Sequence, residues 1–363
     1  MAGAASSPAP ARRRWIALLL ALPLGALAAE GLVRVIGLEA MPLTHTVGAT
    51  IRKVDDPALG FANRVGASMR LEYRERAGDP PRVVVMNVNQ QGFRGPKVKR
   101  AKPSDVLRIA CIGDSHTFGY GVADDETWPA RLQVALGKKN ADGRRIQVLN
   151  CGVSAHDTPQ EVRWLETKVM GFNPDIVLLQ YYVNDAAIRG LADPGDPDPL
   201  VALTHPRREG ALRTMRDVSR LFDVACDRVY RYQSLRVYAA ERRAHYTEGN
   251  PGWTAVREAL RRAHELTTLE DVAFGVVLFP FLVRGDDFLT SHDSFEIVKE
   301  FLARERIPFT DPEPAFLEVD VDGMRVSDMD YHANGAGYDL FAGEVADWVR
   351  QRGLVDPSTA RDQ

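Results

Sequence analysis

Ser115, Gly152, Asn184, Asp330 and His332 have the side chains and backbone freedom needed to move an acyl group, although they lie in four separated segments. A serine hydroxyl attacks a carbonyl only when a neighbouring base takes its proton, and that base needs a third group to fix its tautomer. Ser115 closes the run Ile112-Gly113-Asp114-Ser115, and His332 and Asp330 stand together in Asp328-Met329-Asp330-Tyr331-His332-Ala333-Asn334-Gly335. A loop holding His332 over Ser115 would supply the base, with a nearby aspartate as its orienting acid. The oxyanion that then develops needs N–H donors. The Ser115 and Gly152 amides and the Asn184 side chain are the candidates, and glycine at 152 permits an approach that a Cβ would block. Asp114 and Asp185 read as loop stabilisers bonding to backbone, and His116 as a residue lining the pocket.

The elements around these residues explain how distant segments meet. Apolar, β-branched runs at 106–112, 146–149 and 175–181 end at Ser115, Gly152 and Asn184 respectively. Helical spacing appears between them. Trp128, Leu132 and Leu136 form one apolar face, and Val162, Leu165 and Val169 another, running towards Asn173-Pro174. Thr158-Pro159-Gln160-Glu161 predicts that helix start, with Thr158 and Glu161 as a capping box and proline in the first turn. The alternation resumes with a helix at 253–269, a strand at 272–279, a helix at 294–304, a strand at 307–310 and a helix at 337–350. Strands alternating with helices predict a parallel sheet covered on both faces, with ligands bound beyond the carboxyl ends of its strands.

The rest of the chain divides around that unit. Residues 1–40 predict an N-terminal signal anchor, 41–104 a small β-rich lead-in, 105–353 the main domain and 354–363 a disordered tail. Strand-like pieces at 69–73 and 83–88 precede the segment Asn89-Gln90-Gln91-Gly92-Phe93-Arg94-Gly95. An insertion at 187–250 opens with a Pro/Asp/Gly loop and continues as an Arg- and Tyr-rich helical stretch. Its residues 228–243 read as a solvated face over buried aromatics, and Trp253 as a packing anchor.

Arg12, Arg13 and Arg14 before the apolar run at 15–29 have the pattern of an export signal with its positive end inside. Ala26-Leu27-Ala28 offers a cleavage site, but apolar character continues to Leu38, which favours a retained transmembrane segment with the rest of the chain outside the cytoplasm. Lys plus Arg number 46 against 49 Asp plus Glu, a net charge of −3, so nothing marks a nucleic-acid binder. Cys111, Cys151 and Cys226 have no metal or disulfide spacing, and the first two read as small buried apolar residues.

Together the four segments resemble the blocks of the SGNH (GDSL-type) hydrolase superfamily. Ile112-Gly113-Asp114-Ser115-His116-Thr117-Phe118-Gly119 is similar to the first block, Asn150-Cys151-Gly152-Val153-Ser154 to the second, Tyr182-Val183-Asn184-Asp185 to the third and Asp330-Tyr331-His332-Ala333-Asn334 to the last. The lead-in ending in Asn-x-x-Gly-Phe-Arg-Gly resembles that of membrane-anchored bacterial members. The resemblance implies a three-layer α/β/α, flavodoxin-like fold, a catalytic triad of Ser115, Asp330 and His332, and an oxyanion hole from Ser115, Gly152 and Asn184, with no cofactor and no metal. It implies a serine esterase or deacetylase acting on a small-molecule or glycan acyl ester. Two departures stand out. Tyr182 replaces the usual glycine of the third block, which would narrow or reshape the acyl pocket. Met329 occupies the position where many members carry the acid, and Asp330, two before His332, matches the variant with Asp-x-His followed by Asn, so the resemblance favours Asp330 over Asp328 as the partner of His332. An O-acyltransferase using the same triad is the nearest alternative. A non-catalytic glycan-binding member is a second. A third is a metallophosphoesterase built on Asp114-x-His116, though it would lack its later ligand blocks.

Overall fold

The apolar run Val106–Ile112 (β1) is buried along its whole length, as a strand covered on both faces must be. In this computed structural model, which describes residues 9–38, 45–76, 79–187, 210–283, 286–328 and 330–356, β1 lies at the centre of a five-stranded sheet. The other strands are β2 (Arg145–Asn150), β3 (Ile176–Tyr181), β4 (Ala273–Leu278) and β5 (Phe309–Thr310). Side chains at 9–14, 16–20, 45, 210–213, 230–242 and 286–291 lie outside the described set. All pairings in the sheet are parallel, with Ile109 opposite both Val148 and Ile176, Ile176 opposite Ala273, and Val276 opposite Phe309. The order is β5-β4-β3-β1-β2, the doubly wound flavodoxin-like arrangement that the resemblance implied.

Right-handed crossovers place helices on opposite faces where the strand order reverses. Helix α1 (Ser115–Phe118) follows β1 directly, and α2 (Trp128–Leu136) returns the chain to β2. Helix α3 (Thr158–Trp164) links β2 to β3, α4 (Pro251–Leu269) precedes β4, α5 (Asp286–Arg304) precedes β5, and α6 (Gly335–Gln351) ends the domain. Helix α2 packs on α6 and α3 on α4. Trp253 is buried against Tyr246 and Phe301, the anchor role its position predicted.

Several boundaries differ from expectation. Helix α3 is capped by Asp157 rather than Thr158: Asp157 accepts from the Gln160 N–H, and Gln160 Oε1 accepts from the Asp157 N–H. The Thr158 hydroxyl is committed elsewhere, to Asp185, and Glu161 is buried, so the Thr158–Glu161 box does not form. Helix α5 begins at Asp286, ahead of the expected 294. Residues 354–356 belong to the folded body rather than the tail. Val355 is buried, its carbonyl accepts from Asn140 Nδ2, and the Asp356 carboxylate caps the Ala141 N–H.

The lead-in is β-rich, as its sequence predicted, and it packs into the main body. It forms an antiparallel sheet of His45–Val47, Ser68–Tyr73 and Arg82–Asn87, and a second pair of Ile51–Lys53 with Phe61–Asn63. Its buried Leu59, Phe61, Leu71 and Met86 join one continuous apolar core with β1, β3 and α6.

The N-terminal expectation is met only as a helix, Ala9–Val35. Among the described residues, no helix is long and apolar enough to cross a membrane. The helix contains Pro23, and its polar residues pair with the insertion. Glu30 accepts from Arg34, the Ser219 hydroxyl and the backbone N–H groups of Arg220 and Leu221, capping the insertion helix Arg220–His245. The insertion is helical at Gly210–Val218 and Arg220–His245; residues 188–209, where its opening loop was predicted, and most side chains of the 228–243 stretch lie outside the described residues.

Candidate active site

In a doubly wound sheet the crevice opens where the strand order reverses, between β1 and β3. Ser115 follows β1 and Asn184 follows β3, while Gly152 follows the neighbouring β2. The turn into α1 is sharp. Gly113 sits at φ +152°, and a Cβ there would come within 2.2 Å of Thr117 Oγ1 and 2.6 Å of Gln180 Oε1. Asp114 caps the helix, its Oδ1 accepting from the His116 N–H at 2.8 Å, the loop-stabilising role expected of it. Ser115 is thereby held at the first turn of a helix, at the rim of the sheet.

The distant C-terminal segment reaches the same place. His332 Nε2 lies 2.8 Å from Ser115 Oγ, and His332 Nδ1 lies 2.5 Å from Asp330 Oδ1. The same carboxylate oxygen accepts from the His332 N–H at 3.0 Å, so one group fixes both the ring and the backbone of the histidine. Asp328 is not in this line; its backbone N–H donates to the Glu75 carbonyl at 3.2 Å. Both ring nitrogens of His332 are therefore engaged, one by an acid and one by a hydroxyl. That is the arrangement a general base needs.

Gly152 is fixed from every side. A Cβ on it would stand 2.3 Å from the Phe118 nitrogen and 2.7 Å from the Thr117 carbonyl carbon, so only glycine lets this loop lie against α1. Its carbonyl accepts from Asn63 Nδ2 at 2.9 Å, and the next amide, of Val153, donates to the Gly113 carbonyl at 3.0 Å. Its own N–H makes a 3.2 Å bond to Asn150 Oδ1. That bond is long enough to be exchanged for a stronger, charged acceptor. The Asn184 carbonyl accepts from the Ala187 N–H, and its side-chain oxygen is buried with no hydrogen-bond partner among the described residues. With that oxygen sunk inward, its NH₂ is the end that can meet a ligand. The loop is tied down by Tyr246 from the end of the insertion, whose hydroxyl donates to the Val183 carbonyl and meets the Tyr181 hydroxyl at 2.6 Å. Asp185 Oδ2 accepts from the Tyr182 N–H and the Thr158 hydroxyl, again a loop-stabilising aspartate.

Aromatic rings close the site. His116 stacks on Tyr182 at 4.1 Å, on Phe279 at 4.3 Å and on His332 at 4.7 Å between centroids, and Tyr182 also meets Phe281. Behind the loops, burial raises the carboxyls of Glu161 and Asp185 well above the ordinary range, and the neighbouring acids Asp114 and Asp157 push the same way. Such groups favour the neutral form. Burial likewise raises the Cys111 and Cys151 thiols, and both are free cysteines in the core, as their apolar context predicted.

Two residues of the site carried no chemical signal in sequence. Asn63 lies in a strand too short to read, and Arg94 belongs to a segment legible only as a motif. Both contact the backbone of the loops just described.

The match to a protein family spans the same segments. The model of the GDSL-like Lipase/Acylhydrolase family matches residues 111–340. An acetylxylan esterase from Xylanibacter ruminicola is 35% identical over 96 residues, a match covering 24% of this chain and only 18% of that relative's length. Among solved structures, Axe2, an acetylxylan esterase from Geobacillus stearothermophilus, aligns over 68% of this chain and 94% of its own at 18% identity, with a TM-score of 0.40. A member of the lipolytic G-D-S-L family from Veillonella parvula aligns over 66% of this chain and 96% of its own at 16% identity, with a TM-score of 0.40.

Proposed function

This chain belongs to the GDSL-like lipase/acylhydrolase family, and from that premise we propose that it is a serine ester hydrolase that removes small acyl groups, acetyl foremost, from ester-linked carbohydrate outside the cytoplasm. The observation that carries the reading is the hydrogen-bonded line Asp330–His332–Ser115. In this mechanism His332 Nε2 takes the hydroxyl proton as Ser115 Oγ attacks the ester carbonyl. The tetrahedral oxyanion is met by the Ser115 and Gly152 N–H groups and the Asn184 amide. His332 then passes the proton to the departing alcohol, and a water molecule repeats the sequence on the acyl-serine to release the acid. Asp330 holds the ring with its proton on Nδ1 and offsets the charge of the imidazolium.

Asn184→Ala is expected to lower kcat by about 10²–10³-fold with KM little changed, the usual consequence of losing one oxyanion donor. Steady-state kinetics on p-nitrophenyl acetate checks this; a variant with wild-type kcat would assign Asn184 to the loop alone.

A small acyl group is favoured by the buried wall of His116, Tyr182, Phe279 and Phe281 beside the base. The carbohydrate alcohol is favoured by the local similarity to an acetylxylan esterase. Tyr182→Gly, which restores the residue usual in this family, is expected to raise the ratio of hexanoate to acetate kcat/KM by about tenfold or more, because each methylene admitted to an apolar pocket contributes in that range. An unchanged ratio would place the acyl group elsewhere. Acetate released from acetylated xylo-oligosaccharides tests the substrate directly, and acetyl appearing on an added sugar instead would identify an acyltransferase.

The proposed location rests on Arg12, Arg13 and Arg14 ahead of the apolar run, the charge pattern of a chain led out of the cytoplasm. A phosphatase reporter fused after residue 40 should be active only if that segment carries the reporter out of the cytoplasm.

A further inference from the structure

The motif Asn89-Gln90-Gln91-Gly92-Phe93-Arg94-Gly95 has no part in the chemistry above, yet its arginine reaches the backbone on which that chemistry stands. Asn89 Oδ1 accepts from the N–H groups of Gln91 and Phe93, folding the segment into a tight turn. Phe93 is driven into the core against Trp164 and Phe172. Arg94, 2% exposed, is thereby aimed under the nucleophile helix. Its Nη1 donates to the Phe118 carbonyl at 2.7 Å and to the Gly119 carbonyl, and its Nη2 donates to the Val122 carbonyl at 2.5 Å. Its Nε pairs with Asp124 at 2.9 Å, and its backbone N–H donates to the Asn150 carbonyl at 3.0 Å.

One residue therefore ties the C-terminal end of the helix that begins at Ser115 to the strand end that leads into Gly152. Asn63 completes the arrangement, because its Nδ2 donates both to the Gly92 carbonyl within the motif and to the Gly152 carbonyl. The carbonyls at the end of a helix are otherwise without partners, and a planar guanidinium with five donors in a fixed fork can serve three of them and a carboxylate together, more partners than the three donors of an ammonium. An interior arginine with one carboxylate partner is also costly to bury, so its place here needs a return.

We propose that Arg94, with Asn63, is a positioning residue that sets the separation and orientation of the Ser115 hydroxyl and the Gly152 N–H. The lead-in is then part of the catalytic apparatus rather than a spacer. This rests on the reading of Ser115 as nucleophile. The test uses the full chain and three variants, Arg94→Lys, Arg94→Gly and Asn63→Ala. Each is assayed for kcat and KM on p-nitrophenyl acetate and for the rate at which a fluorophosphonate labels Ser115, well below its own melting temperature. Arg94→Lys is expected to lose about 10²-fold in kcat and a similar factor in labelling rate, with KM within about threefold, the scale of a 1 Å misplacement of reacting groups. Methylguanidinium should restore part of the labelling rate in Arg94→Gly but not in Arg94→Lys. Asn63→Ala, which removes only an amide, should move the same way by a smaller factor. Folded Arg94→Lys and Asn63→Ala proteins with wild-type kcat and labelling rate would overturn the proposal. If Arg94→Lys does not fold, Asn63→Ala and the guanidinium rescue decide it. Absence of labelling in the wild-type chain would instead remove the assignment of Ser115 itself.

Discussion

Ser115→Ala is expected to abolish ester turnover, with kcat reduced by about 10⁴–10⁶-fold, the range seen when the nucleophile of a serine hydrolase is removed. It should do so without loss of fold. The Ser115 carbonyl, not its hydroxyl, accepts the N–H groups of Gly119 and Tyr120 that close the short helix, and alanine keeps that carbonyl. The hydroxyl is bonded to His332 Nε2, and deleting it leaves a ring nitrogen at a partly exposed rim rather than in a sealed cavity. KM and melting temperature are therefore expected to stay near wild-type values while kcat collapses. Covalent labelling by a fluorophosphonate should vanish in the same variant. Retention of more than a few per cent of activity would mean that another group attacks the ester, and the Asp330–His332–Ser115 line would have to be reread as loop architecture.

The parts that could be read from sequence are those governed by short-range patterns. β1 and β3 are buried along their whole length and mostly apolar because both faces are covered, and their ends are marked by glycine or a polar cluster, so the strands and the site residues after them were visible together. The cap of α3 was misplaced by one residue because Asp157, Thr158 and Gln160 all offer capping chemistry. What decides between them is the bond from Thr158 to Asp185, which lies in a different loop. The lead-in was legible as β-rich but not as a partner of the site. Its strands are short, and the bonds from Asn63 to Gly152 and from Arg94 to Phe118 span segments whose proximity only the folded chain reveals. Tyr246, which holds the Asn184 loop from the end of the insertion, was hidden for the same reason.

The choice of acid in the catalytic line gives the second large effect. Two aspartates flank Met329, and spacing common in this family would favour a residue three before His332, a position that methionine occupies here. Asp330→Asn is expected to lower kcat by about 10⁴-fold while sparing the fold. The asparagine oxygen can still accept from the His332 N–H, as Asp330 Oδ1 does at 3.0 Å, so the loop keeps its shape. It cannot supply the negative charge that the imidazolium requires. If the amide NH₂ turns to Nδ1, the ring proton shifts to Nε2 and the base faces Ser115 with a donor. Asp330→Ala removes the loop bond as well and should be at least as damaging, with a lowered melting temperature that Asp330→Asn does not share. Asp328→Ala should leave kcat within about twofold, since this half-buried residue lies outside the Asp330–His332–Ser115 line. The bond from residue 328 to the Glu75 carbonyl is made by its backbone N–H, which alanine keeps. Comparable losses in Asp328→Ala and Asp330→Asn would show that the acid is shared or misassigned. A loss confined to Asp330 would make the two-residue step from acid to base sufficient, because the backbone turn between them brings the carboxylate back onto the ring of its near neighbour.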